Sequence, residues 1–227
     1  MKKLMSLMAL AVVASVVAAS AQEVLSANAV GYVKRTVPAG KLQIVTVPFD
    51  NIASEDGSYK FGETQVAQEA PKDTTVMFWD PESQSWDAGS KGKKGWDEAQ
   101  YEHPLIPGEA FFLKNPDATQ PLEVTAAGEV PSNAQLSRSY AQGGLSIVAY
   151  AYPVDVKFGD TELADQLVKD DQVMFWDAET QSWDAGSKGK KGWDEAQAEH
   201  IVQAGEGFFI KAANGGTWEA VKPYTWP

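Results

Sequence analysis

The residues best suited to chemistry lie in one stretch, and that stretch occurs twice. QSWDAGSKGKKGWDEAQ reads without a change at 84–100 and at 181–197. Trp86 and Trp96 flank the nine residues Asp87 to Gly95, in which Gly89, Gly92 and Gly95 permit left-handed backbone and Lys91, Lys93 and Lys94 carry charge. Asp97, Glu98, Glu102 and His103 follow, and the second copy supplies Trp183, Lys188, Lys190, Lys191, Trp193 and Asp194. Tryptophan faces stack on sugar rings and anchor protein interfaces, and ammonium groups beside carboxylates suit charge-complementary docking. These residues form the candidate partner- or glycan-binding set. Trp79 and Trp176 are expected in the core, Trp86 and Trp183 at the loop border, and Trp96 and Trp193 in solvent.

Other chemistry fares less well. Paired carboxylates such as Asp87 with Asp97 have the residue types of a glycoside hydrolase, in which two acids about 5 to 10 Å apart flank the bond. His103 and His200, each preceded by a glutamate, are weak metal candidates, since one histidine and one carboxylate are too few ligands for a transition metal. No P-loop spacing, EF-hand loop or G-x-S-x-G turn occurs. The only two histidines occupy equivalent repeat positions, which leaves a Ser-His-Asp triad little to recruit. The expectation is a noncatalytic protein without a cofactor.

Composition bounds the partners. The 227 residues include no cysteine and carry a formal charge of −12, with 44% hydrophobic and 11% aromatic content. Enough apolar surface is present to build a core. An acidic balance opposes binding to nucleic acid, whose phosphates demand an excess of Lys and Arg. Without cysteine there is no disulfide or thiolate chemistry, so packing must hold the fold. Lys2 and Lys3, an apolar run from Leu4 to Val17 and the small residues Ala19-Ser20-Ala21 read as a secretory signal over 1–21. Fourteen apolar residues fall short of the roughly 20 that span a bilayer as a helix, so no transmembrane span is expected. Cleavage removes two lysines and leaves 17 basic against 31 acidic residues, a net −14. The destination is the periplasm, the outer surface or the extracellular space.

The elements that must position the repeated residues are themselves duplicated, at an offset of 97. Residues 76–103 match 173–200 at 25 of 28 positions, KFGET at 60–64 answers KFGDT at 157–161, and GEAFFLK at 108–114 answers GEGFFIK at 205–211. Upstream, Leu42-Gln43-Ile44-Val45 pairs with Leu145-Ser146-Ile147-Val148 only after a shift of six, which predicts an extra loop around Ala53 to Ser58. Two units follow, 22–128 and 129–227. In the first, LQIVTVPF, TTVMFWD, SQSWD, EAFFLK and LEVTA read as strands. DPESQS reads as a hairpin turn, and Thr161 or Asp160 as the cap of one short helix per unit. The extended pieces at 28–40 and 128–144 are expected to cross to another sheet or unit. The fold class is all-β: two small sandwich- or barrel-like units packed together.

NAVGYVKRTVPAG, LQIVTVP with LSIVAYAYP, the short helix, VMFWD with its following tryptophan, and PGEAFFLK or AGEGFFIK together resemble a broad, poorly characterised class of secreted bacterial β-modules, often in tandem. The resemblance covers nearly all of the chain after the signal and implies a noncatalytic surface or envelope module, with no active-site residues to transfer. GSKGKKGWDEAQ is not part of that general pattern. The expected function is a secreted surface, envelope or matrix protein that binds itself, or a surface glycan or protein, through the duplicated loops. A carbohydrate-binding module using the loop tryptophans is the alternative, and a glycan hydrolase a more distant one.

Overall fold

A computed structural model describes residues 29–51, 54 and 58–225. Residues 1–21, which read as a secretory signal, and the expected extra loop at Ala53 to Ser58 apart from Ser54 and Ser58, lie outside the described residues. The first half of the chain forms β1 (Val30–Val37), β2 (Leu42–Thr46), β3 (Tyr59–Lys60), α1 (Gln65–Glu69), β4 (Thr75–Asp80), β5 (Ser85–Ser90), α2 (Glu98–Tyr101), β6 (Pro104–Leu105), β7 (Ala110–Lys114) and β8 (Leu122–Glu129). The second half repeats the order: β9 (Gln135–Tyr140), β10 (Leu145–Ala149), β11 (Val156–Lys157), α3 (Glu162–Gln166), β12 (Gln172–Asp177), β13 (Ser182–Ser187), α4 (Glu195–Ala198), β14 (Ile201–Val202), β15 (Gly207–Lys211) and β16 (Gly216–Val221). The fold is all-β and duplicated. Each half carries two short α-helices rather than one, because Asp97-Glu98 and Asp194-Glu195 open a single extra turn that has no apolar periodicity to announce it, and a 3-10 turn, Phe61–Glu63 or Phe158–Asp160, precedes the first.

Every pairing between the named strands is antiparallel and internal to its half. A four-stranded sheet in the order β2-β7-β4-β5 is matched by β10-β15-β12-β13, and the pairs β1-β8 and β9-β16 close over them. The pieces at 28–40 and 128–144 do cross to another sheet, since β1 and β9 lie outside the four-stranded sheets, but they pair within their own half, with β8 and β16, and not with the other unit. The hairpin turn forms in both copies because Asp80 and Asp177 each accept the backbone N–H two residues on, at 2.8 Å, with or without the proline. Thr64 and Thr161 cap α1 and α3, accepting from Ala67 at 3.1 Å and Ala164 at 3.2 Å.

Strands β2 and β7 are buried on both faces, where a half-solvated strand would alternate, because each face has its own core. On one face Phe111 joins Phe61 and Phe78 inside the first unit, Phe61 meeting both rings edge-on at 5.3 Å. On the other, Ile44, Ala110 and Phe112 pack against Ile147, Ala149 and Phe209 of the second unit. Phe208, Phe158 and Phe175 fill the inner core of the second unit. The two four-stranded sheets thus form a joint apolar layer, and linked beads are ruled out. No helix among the described residues is long and apolar enough to cross a membrane.

Candidate functional site

The repeated segment is held to its own unit from one side. Strand β5 runs on to Ser90, paired residue for residue with β4, so half of the expected nine-residue loop is sheet. Lys91 then turns inward. Its ammonium donates to the carbonyls of Ala67, Gln68 and Ala70 at 3.0, 2.8 and 2.7 Å, where α1 ends. Those carbonyls have no partner within the helix, and a cation at the negative end of the helix satisfies them. Lys188 does the same for Ala164, Asp165 and Leu167. Both lysines are part of the scaffold and not of an exposed tip. Trp96 and Trp193, expected in solvent, are half-buried: each donates its indole N–H at 3.0 Å, to Ala67 and Ala164, and packs edge-on at 5.0 Å against Phe61 and Phe158. The sequence misplaces them because their neighbours are glycine and charged residues, while the core they fill comes from elsewhere in the chain. Gln100 and Gln197, buried, reach back under the strand to Asp87 and Asp184, and Gly89 is required there because a Cβ would stand 2.3 Å from the Gln100 side chain.

The other side of the segment faces the second unit. Gln84 sits in the left-handed region at φ 53° and Gln181 at φ 56°, a conformation that costs a non-glycine residue about 1 kcal/mol. Their amides repay it by clamping the opposite unit: Gln84 accepts from Leu145 N at 2.7 Å and donates to its carbonyl at 3.0 Å, and Gln181 treats Leu42 in the same way at 3.0 and 2.9 Å. Trp79 and Trp176 are half-buried in this inter-unit layer, not within either unit's core, and donate to Leu145 and Leu42 at 2.8 and 3.0 Å. Every such contact recurs with the units exchanged, so an approximate twofold relates them. Trp86 and Trp183 are the exposed pair, each at 41%. Trp86 lies 5.5 Å from Phe112 and 6.0 Å from Phe209, and Trp183 lies 5.4 Å from Phe209 and 6.2 Å from Phe112. Both line one open pocket of about 220 Å³ with Trp79, Leu145, Met174 and Phe209.

What remains of the basic tip is a four-residue turn. Gly92 and Gly95 bond each other at 2.8 and 3.3 Å, with Gly95 at φ 108°, and Lys93 and Lys94 project into solvent between them. Lys190 and Lys191 repeat this arrangement. Asp97 and Asp194 stay exposed at the starts of α2 and α4, without a side-chain capping bond. Asp87 is engaged by Gln100, and neither Asp87 nor Asp97 lines the aromatic pocket.

His103 and His200 stack on Phe78 and Phe175 at 3.6 and 3.5 Å and approach Glu109 and Glu206 at 3.3 and 3.4 Å. Those carboxylates also face an arginine of the other unit, Arg138 and Arg35 respectively, at 3.8 Å. Among the described residues no three His, Cys, Asp or Glu side chains gather as a metal would require. The two histidines thus belong to the seam between units. Gln84, Gln181, Arg35 and Arg138 were not singled out by their sequence pattern. A signal existed, since Arg35 and Arg138 are the only arginines in the chain and occupy matching positions in the repeat. No protein-family model matches the chain, and no curated protein or solved structure does either.

Proposed function

We propose that the chain is an exported, noncatalytic surface, envelope or matrix protein that works by association, with itself or with a partner, through the hairpins β4–β5 and β12–β13. Export rests on the N-terminal sequence. Association rests on convergence: Trp86 and Trp183 come from the two identical copies, are the exposed members of their clusters, and line one apolar pocket. Tryptophan over methionine, leucine and phenylalanine is the composition of an interface anchor. At about 220 Å³ the pocket is smaller than the roughly 300–1,000 Å³ of small-molecule sites and suits a single anchoring side chain. Two copies of the Lys-Lys turn add linked weak contacts, which gain strength from effective concentration. Light scattering on the exported protein is expected to give a mass that rises with concentration and falls with salt, and a strict monomer at high concentration and low salt would overturn self-association.

Carbohydrate binding is the second reading, favoured by the same two exposed indole rings. It moves from Trp96 and Trp193, which are packed, to Trp86 and Trp183. A glycan array should then return hits that disappear in Trp86→Ala with Trp183→Ala; an array without hits, or with hits indifferent to that pair, removes this reading. A hydrolase would need its acids at the pocket, and no carboxylate lines it.

A further inference from the structure

Each four-stranded sheet has two edges, and the structure treats them differently. At the inner edge, Leu42 has its N–H and its carbonyl bonded by Gln181, and Thr46 donates to Gly205 at 3.1 Å, so the second unit blocks β2. Strand β10 is blocked in the same way by Gln84 and by Gly108, which accepts from Ala149 at 3.0 Å. The outer edges, β5 and β13, have no such cover among the described residues. Lys91 donates to Thr74 across β4–β5, so alternation assigns Ser85, Asp87 and Gly89 to the ladder and turns the N–H and C=O groups of Trp86, Ala88 and Ser90 outward. In β13 the outward set is Trp183, Ala185 and Ser187.

Proteins usually protect such an edge with lysine, proline, a bulge or a very short strand. SWDAGS has no lysine or proline and pairs with its neighbour over six residues without a bulge. Both edges also have the same sequence, and that sequence suits antiparallel pairing with itself. Centred on the alanine, the pairing sets Ala88 opposite the Ala88 or Ala185 of a second copy, Trp86 opposite a serine, and Asp87 opposite a glycine, so like charges do not meet directly. The same register carries the Lys93-Lys94 turn toward the Pro81–Gln84 turn of the second copy, where Lys94 falls opposite Glu82, or opposite Glu179 in the mixed pairing. Among the described residues Glu82 makes no ion pair, whereas Glu179 holds Lys41 at 3.1 Å.

We infer that β5 and β13 are docking edges for a second copy of this chain, joined by antiparallel main-chain pairing about Ala88 and Ala185. This rests on the self-association reading above and specifies its surface. Because each copy carries two equivalent edges, assembly runs past the dimer. Proline at an outward position removes the N–H the partner needs and leaves the β4–β5 ladder intact.

Sedimentation velocity at low salt tests the inference on the exported protein, with circular dichroism as the check on folding. The unaltered protein should grow beyond the dimer with concentration. Ala88→Pro alone and Ala185→Pro alone should each stop at the dimer, and the double variant should be monomeric. Ala88→Lys with Ala185→Lys, which tolerates any strand dihedral, should be monomeric as well. Lys94→Glu with Lys191→Glu should weaken growth at low salt and lose its effect at high salt. Continued growth of a folded double variant, proline or lysine, overturns edge pairing and leaves self-association standing. A monomeric unaltered protein at every concentration overturns both.

Discussion

Two regions of the same identical segment have opposite duties. Lys91, Trp96 and Gln100 turn into their own unit, where they close the end of α1 and brace β5. Gln84, Trp86 and Ala88 turn away, toward the other unit and the outer edge. Identity between the copies therefore does not by itself mark a ligand surface. Much of it reflects two units solving the same packing problem with the same residues, and only the outward half is free to meet a partner.

Substitutions can break that comparison. The largest effect is expected for Trp96→Ala, which empties a half-buried site against Phe61 and removes the bond to Ala67; it should cost about 3 kcal/mol in urea unfolding. Trp86→Ala should cost about 1 kcal/mol, and an equal loss at both would erase the distinction between the regions. Lys91→Met should come next, at about 2 kcal/mol, because three helix-end carbonyls lose a charged donor. Lys93→Met, in the exposed turn, should stay within about 0.5 kcal/mol by the same measurement.

A pH-dependent effect is expected where β8 ends. Burial first, and the Glu129 carboxylate second, push the Asp50 carboxyl from its ordinary 3.8 up to about 6. Within that window the folded chain holds more protons than the unfolded one, so stability falls as pH rises through it. Asp50 is half-exposed, which discounts the effect to about 1 kcal/mol. Asp50→Asn should therefore raise the thermal midpoint at about pH 7.5, with the gain fading toward about pH 4. A gain of the same size at both would show that the carboxyl's titration plays no part.

Much of this architecture was legible in the sequence. The repeat, the strands and the DPESQS hairpin follow from turn residues and β-branched or aromatic runs, and the Thr161 cap from a hydroxyl just ahead of an apolar spacing. The helices α2 and α4 were not, since four residues give no period. Trp96 has the sequence neighbours of an exposed residue, while the groups that bury it, Phe61 and the Ala67 carbonyl, lie about thirty residues upstream. Lys91 is hidden from local pattern in the same way, as its three carbonyl partners lie more than twenty residues upstream.

What the sequence determined alone was the duplication, the all-β class and the acidic body with lysines gathered in two repeated stretches. These follow from composition and from interactions within a few residues. Which face each tryptophan presents, which lysines cap a helix and which strands keep a free edge were decided only when two sheets met across an approximate twofold. Burial and hydrogen-bond satisfaction at that seam depend on groups brought together from 60 to 170 residues apart, such as Gln84 with Leu145 and Arg35 with Gln203. No local pattern encodes such a meeting, and the surface proposed for association is what it leaves uncovered.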